Sequence, residues 1–155
     1  MSETRQATDK PNSSAEAVLE TNPRGIPKVQ FVENVEEFIS KSSAPVEVTL
    51  GKFQETVAKY KFMEINFLNR KKGLELKIPE ISKTLTVVEY LVSKQANVML
   101  EYTLQEAKEL LENKLDTNQN ALKNVLEDLE FLREQVTTME ILHVYTIGML
   151  REDEH

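Results

Sequence analysis

The side chains best suited to metal binding or proton transfer are the two histidines, His143 and His155. They lack ligand spacing with each other, because imidazoles sharing a metal from one helix stand three or four residues apart. His143 also falls on an apolar seam, where a packed histidine is the expected reading. The acidic groups Glu36-Glu37 and Glu152-Asp153-Glu154 could supply paired carboxylates, but acid–base work needs a concave pocket that shifts their pKa values. They read as solvated charge. Arg70-Lys71-Lys72 is the one basic cluster, and it lies inside a heptad run, where a solvated helix face is the simpler expectation. With no Cys in the chain, disulfides, thiolate zinc sites and cysteine catalysis are excluded. There is no glycine-rich phosphate loop and no nucleophile–base arrangement. The residue types therefore point away from an enzyme and imply no metal and no cofactor.

Composition points instead to long helices. Only 4 Gly and 5 Pro punctuate 155 residues, and the apolar residues fall in stripes rather than in short alternating runs. The net charge of −7 argues against non-specific nucleic-acid binding, which requires clustered Lys and Arg. No apolar run approaches the length of a membrane span and the N-terminus lacks a signal-peptide core, so an intracellular, soluble chain is expected.

Residues 1–22 are polar, with too few large apolar side chains to offset the entropy of ordering, and are expected to be disordered. Residues 23–44 comprise the turn-rich entry Pro23-Arg24-Gly25-Ile26-Pro27 and a short amphipathic helix of about two turns. That helix carries Val32, Val35, Phe38 and Ile39 on one side and Glu33, Glu36 and Glu37 on the other. Alternating steps of four and three then link Val46, Leu50, Phe53, Val57, Tyr60, Glu64, Phe67, Lys71, Leu74, Ile78, Ile81, Leu85, Val88 and Val92. Only Glu64 and Lys71 break the apolar series, so the spacing predicts a coiled-coil helix over 46–94. Pro79 predicts a kink near Lys77.

The same steps resume through Leu104, Lys108, Leu111, Leu115, Asn118, Leu122, Val125, Leu129, Leu132, Val136, Met139, His143, Thr146 and Leu150. They predict a second helix over 103–149, begun by a capping box at Thr103-Leu104-Gln105-Glu106, with Asn118 as a register-setting seam residue and Gly148 near the stop. Residues 151–155 form an acidic tail. Between the helices, Val98, Leu100 and Tyr102 alternate with Met99 and Glu101, the period of a half-buried strand. The expected fold is mainly α: a long antiparallel two-helix coiled-coil hairpin over 45–150, with a short β segment at the turn, 95–102. A continuous rod stays open, because no Gly or Pro occurs between Pro79 and Gly148 and only Asn97 favours a left-handed turn.

Several stretches resemble the prefoldin family, and within it the alpha-class subunits of the subunit 3 type. They are Gly25-Ile26-Pro27 with Phe31-Val32-Glu33, Tyr60-Lys61-Phe62-Met63-Glu64, Ile78-Pro79-Glu80-Ile81, the run 96–102, and Leu126-Glu127-Asp128-Leu129-Glu130-Phe131-Leu132-Arg133-Glu134-Gln135-Val136-Thr137-Thr138. The resemblance covers most of residues 25–145. It implies a subunit of a heterohexameric cytoplasmic chaperone, with some nuclear presence, whose β hairpins assemble a double barrel from which coiled coils project. It implies partners: other prefoldin subunits, the cytosolic chaperonin, and unfolded actin and tubulin chains captured without ATP hydrolysis. By the same resemblance Asn97, Val98, Met99, Leu100 and Tyr102 would form a barrel strand for subunit assembly. Ile26, Val32, Val35, Phe38, Ile39, Ile147, Met149 and Leu150 would form client-binding tips.

The chain departs from the alpha class between its helices, where Ser93-Lys94-Gln95 leads directly into Ala96-Asn97-Val98 and most of one hairpin is missing. A second outcome follows from that loss: a coiled-coil scaffold or homodimeric rod without client activity. On physical grounds alone the apolar residues near the termini either pack against one another and close the coil, or form an adaptable groove. The resemblance favours the groove.

Overall fold

The computed structural model describes residues 20–29, 34–41, 45–94 and 98–153. The disorder expected for 1–19, the tip residue Val32, the assembly residue Asn97 and the end of the acidic tail lie outside them. Three helices follow one another: α1, Val35–Lys41; α2, Val46–Lys94; and α3, Val98–Asp153.

The entries of α1 and α2 have local causes. Asn34 caps α1, its side-chain oxygen accepting a hydrogen bond from the Glu37 amide at 3.1 Å and its carbonyl one from the Phe38 amide at 3.1 Å. Before α2, the Pro45 carbonyl accepts from the amides of Val48 and Thr49, and proline needs no partner for the donor it lacks. From there α2 runs unbroken through Pro79, so the proline does not end the helix. At about 1.5 Å per residue, α2 spans roughly 70 Å.

α2 and α3 pack antiparallel. Gln54 faces His143, Lys61 faces Glu140 and Glu64 faces Arg133, so ascending positions on α2 meet descending ones on α3. Every seam position named above is buried or half-buried, including Glu64 and Lys71. The coiled-coil hairpin predicted from spacing is therefore the architecture, and a single continuous rod is not.

Four local expectations need correction. The β segment at 95–102 is not formed in the described residues: α3 begins at Val98 and takes 98–102 into its first turns. A strand there would have needed an external edge to satisfy its backbone, whereas a helix satisfies most of its own. Thr103 consequently lies inside α3 rather than at its N-cap, and the helix passes Gly148 to reach Asp153. Asn118 donates at 2.7 Å to the Lys114 carbonyl of its own helix, so its amide is satisfied locally rather than across the seam.

Packing is uneven along the hairpin. Toward the open end, Val125, Leu129, Leu132, Val136, Met139 and Leu142 of α3 are buried. Toward the turn, among the described residues of α2 beyond Tyr60, only Leu85 is buried. The difference arises because residues 20–29 and α1 cover the open-end half, while the other half is a bare two-helix seam. Around that seam Val87, Tyr90, Leu91, Tyr102 and Leu110 remain exposed.

Candidate functional site

The covering segment is a tight turn closed by its own backbone. The amides of Asn22 and Gly25 donate to the Ile26 and Asn22 carbonyls at 2.9 and 3.0 Å, and the Lys28 amide to Glu20 at 2.7 Å. Gly25 sits at φ 85°, a left-handed conformation that glycine adopts without Cβ strain. The Asn22 side-chain oxygen accepts from the amides of Arg24 and Ile26 at 3.1 and 2.8 Å. Asparagine favours turns through such bonds to its own neighbouring backbone.

The turn is held to the coil by buried polar groups. Asp128 of α3 accepts from the Asn22 amide at 2.7 Å and from Arg24 Nε at 2.6 Å, and Glu127 accepts from Arg24 Nη2 at 2.9 Å. The hydrogen bond to Asp128 raises the Arg24 guanidinium above its ordinary pKa; desolvation opposes this and Glu127 adds to it. Gln135 accepts from the Val29 amide at 2.9 Å. Tyr60 of α2 donates its hydroxyl to the Pro27 carbonyl. Beneath these contacts Ile26 packs with Tyr60, Leu132 and Val136.

Burial raises the pKa of Tyr60, because the phenolate would lose its hydration. The folded state thus holds this proton more tightly than the unfolded chain does. The contribution is complete below tyrosine's ordinary value near 10 and is lost as pH rises through the folded value. Tyr60→Phe is expected to cost about 1 kcal/mol at neutral pH. It should also remove part of the stability loss seen between pH 8 and pH 10.5, read from urea midpoints at the two values.

Two apolar grooves flank this packed region at the open end. One lies between α1 and the end of α3, lined by Val35, Ile141, Leu142, Val144, Tyr145 and Met149. The other lies along α2, lined by Val29, Phe38, Phe53, Met63, Met139 and Leu142. Leu142 borders both. Val144, 67% exposed, and Phe38, 41% exposed, leave apolar surface open to solvent.

Of the residues expected at a binding tip, Val35 and Met149 line the first groove and Phe38 the second, while Ile39, Ile147 and Leu150 are half-buried nearby in sequence. Ile26 is different: at 7% exposure it belongs to the core under the turn and has no free surface to offer. Asn22 likewise is buried and hydrogen-bonded, so the ordered chain starts earlier than its polar composition suggested. Among the assembly residues, Val98 through Tyr102 are helical, and Tyr102 is exposed. His143 sits half-buried on the seam, 3.4 Å from the Gln54 amide. Sequence reasoning missed Asp128, Gln135 and Asn34; the cap had a signal in Asn34-Val35-Glu36-Glu37, a polar residue with glutamate three positions on.

Comparison with known proteins gives this geometry a family. A family model described as prefoldin subunit matches residues 89–142. Prefoldin subunit 3 of Elsinoe fawcettii is 38% identical, covering 86% of each chain. A probable prefoldin subunit 3 of Schizosaccharomyces pombe is 42% identical over 78% of this chain and 88% of its own. Prefoldin subunit 3 of Homo sapiens is 35% identical over 76% of this chain and 77% of its own. The alignment with the Elsinoe protein runs over 170 positions, more than this chain's 155 residues, so it opens gaps on this chain's side. A shortened internal segment produces such gaps. No solved structure matches. With an antiparallel coiled-coil hairpin and these relatives, the chain belongs to the prefoldin family, in its subunit 3 group.

Proposed function

We propose that this chain acts as a subunit of the prefoldin co-chaperone in the cytoplasm, holding unfolded actin- and tubulin-class chains and passing them to the cytosolic chaperonin. The observation that carries the reading is the pair of apolar grooves at the open end of the hairpin. Capture of this kind needs no chemistry and no nucleotide. It needs apolar surface kept open by a rigid support, and several copies in one assembly to raise avidity. The exposed Val87, Tyr90, Leu91, Tyr102 and Leu110 near the turn support contact there with other prefoldin subunits, through helical surface instead of a strand.

The test is suppression of client aggregation by the complex assembled with its partner subunits. Phe38→Ser with Val144→Ser removes one exposed apolar group from each groove and leaves the buried seam intact. Light scattering from diluted unfolded actin is expected to show suppression reduced at least severalfold. Suppression equal to wild type, with assembly unchanged, would remove the grooves from the mechanism.

A further inference from the structure

The two grooves are opposite in charge. The groove between α1 and α3 is edged by Glu36 and Glu152, and among the described residues no basic side chain lines it. The groove along α2 is edged by Lys28, Lys52 and Lys59, and among the described residues no carboxylate lines it. Lys28 and Lys59 lie 3.4 and 3.2 Å from Glu20 and Glu55, carboxylates outside the lining. Those pairs are largely exposed and hold their partners weakly. Lys52 makes no ion pair among the described residues.

In a chain of net charge −7, a lining with three lysines and no carboxylate among its described residues departs from the mixed signs of an ordinary solvated face, although Glu20 and Glu55 stand behind two of the lysines. Lysine also suits a rim, because its aliphatic stem can lie along apolar surface while the ammonium reaches outward. We propose that this groove takes extended polypeptide segments whose apolar residues are flanked by aspartate or glutamate. This rests on the capture function above and adds a selection rule to it. The apolar side chains of such a segment cover Phe38, Phe53 and Met63, and its carboxylates meet the three ammonium groups. Met63 adapts to different apolar side chains, so shape discriminates little. Charge discriminates more, since basic flanks are repelled.

Two fluorescent peptides with one apolar core, flanked either by Glu or by Lys, test this by anisotropy with the full-length chain. The Glu-flanked peptide is expected to bind about fivefold more tightly at low salt, with the preference shrinking at 0.5 M salt. Lys52→Glu with Lys59→Glu, both on exposed positions, is expected to weaken that peptide roughly tenfold and leave the Lys-flanked one unchanged or tighter. Glu36→Gln with Glu152→Gln should leave the Glu-flanked peptide unaffected. Equal binding of both peptides, or a preference untouched by the lysine reversals, overturns the charge rule while capture by apolar contact stands. Binding of neither peptide, together with lost aggregation suppression in the serine variants' parent, overturns both.

Discussion

Leu132→Ala is expected to lower the stability of the isolated chain by about 3 kcal/mol, the usual range for emptying a fully buried leucine site. Leu132 has 0% exposure and packs with Ile26, Tyr60 and Val136, so three separate segments lose contacts at once. The site cannot collapse easily, because α2 and α3 are held apart by neighbouring seam residues and the turn above is tied by hydrogen bonds rather than by flexible apolar contacts. Leu85→Ala, in the two-helix half, is expected to cost less, since fewer side chains surround it and water already approaches the seam. Urea unfolding followed by circular dichroism measures both. Equal losses at the two positions would mean that the three-segment region is not the stability centre of the hairpin.

Asp128→Ala is expected to cost about 2 kcal/mol, in line with losing hydrogen bonds to a charged group and leaving a buried donor unpaired. Asp128 is 2% exposed and is the acceptor for both Asn22 and Arg24. Without it the Asn22 amide has no buried acceptor, and Arg24 keeps only Glu127 and a long contact to Asn124. The turn should then lift from α3 far more often than in the parent chain, exposing Ile26 and Tyr60. The consequence is local before it is global: trypsin should cut after Arg24 at an increased rate, and the amides of Ile26 and Val29 should exchange faster. Asp128→Asn keeps an acceptor oxygen without the charge and should fall between. If cleavage after Arg24 and amide exchange both match the parent, Asp128 does not hold the turn.

The two substitutions separate what could be read in the chain from what could not. Leu132 lies on a heptad step, and the steps from Val46 to Val92 and from Leu104 to Leu150 predicted every seam position correctly, Glu64 and Lys71 included. That succeeded because a long helix presents the same face every seven residues, and burial of that face requires only a second helix of similar length. Asp128 lies off the step. A charged side chain there reads as solvent-facing, and nothing local shows that Asn22 and Arg24, about a hundred positions earlier, come to meet it.

The run 98–102 shows the opposite limit. Alternation over five residues fits a strand and also fits one side of a helix, and so short an apolar run cannot be assigned by period alone. The absence of Gly and Pro through that stretch was the better guide. Its backbone found partners in its own helix, and no strand edge among the described residues was present to compete.

By itself the amino-acid sequence determined the helices, their pairing face and the family, because these follow from periodic apolar spacing and from extended stretches of matching residues. Only the tertiary structure decided that Ile26 and Asn22 are buried, that residues 20–29 form a third layer clamped by Asp128, Gln135 and Tyr60, and that two grooves of opposite charge remain open. The physical reason is one of range. Heptad burial is settled among residues a few positions apart on facing helices, whereas a clamp and a groove are made by side chains far apart in sequence that meet only once the chain has folded.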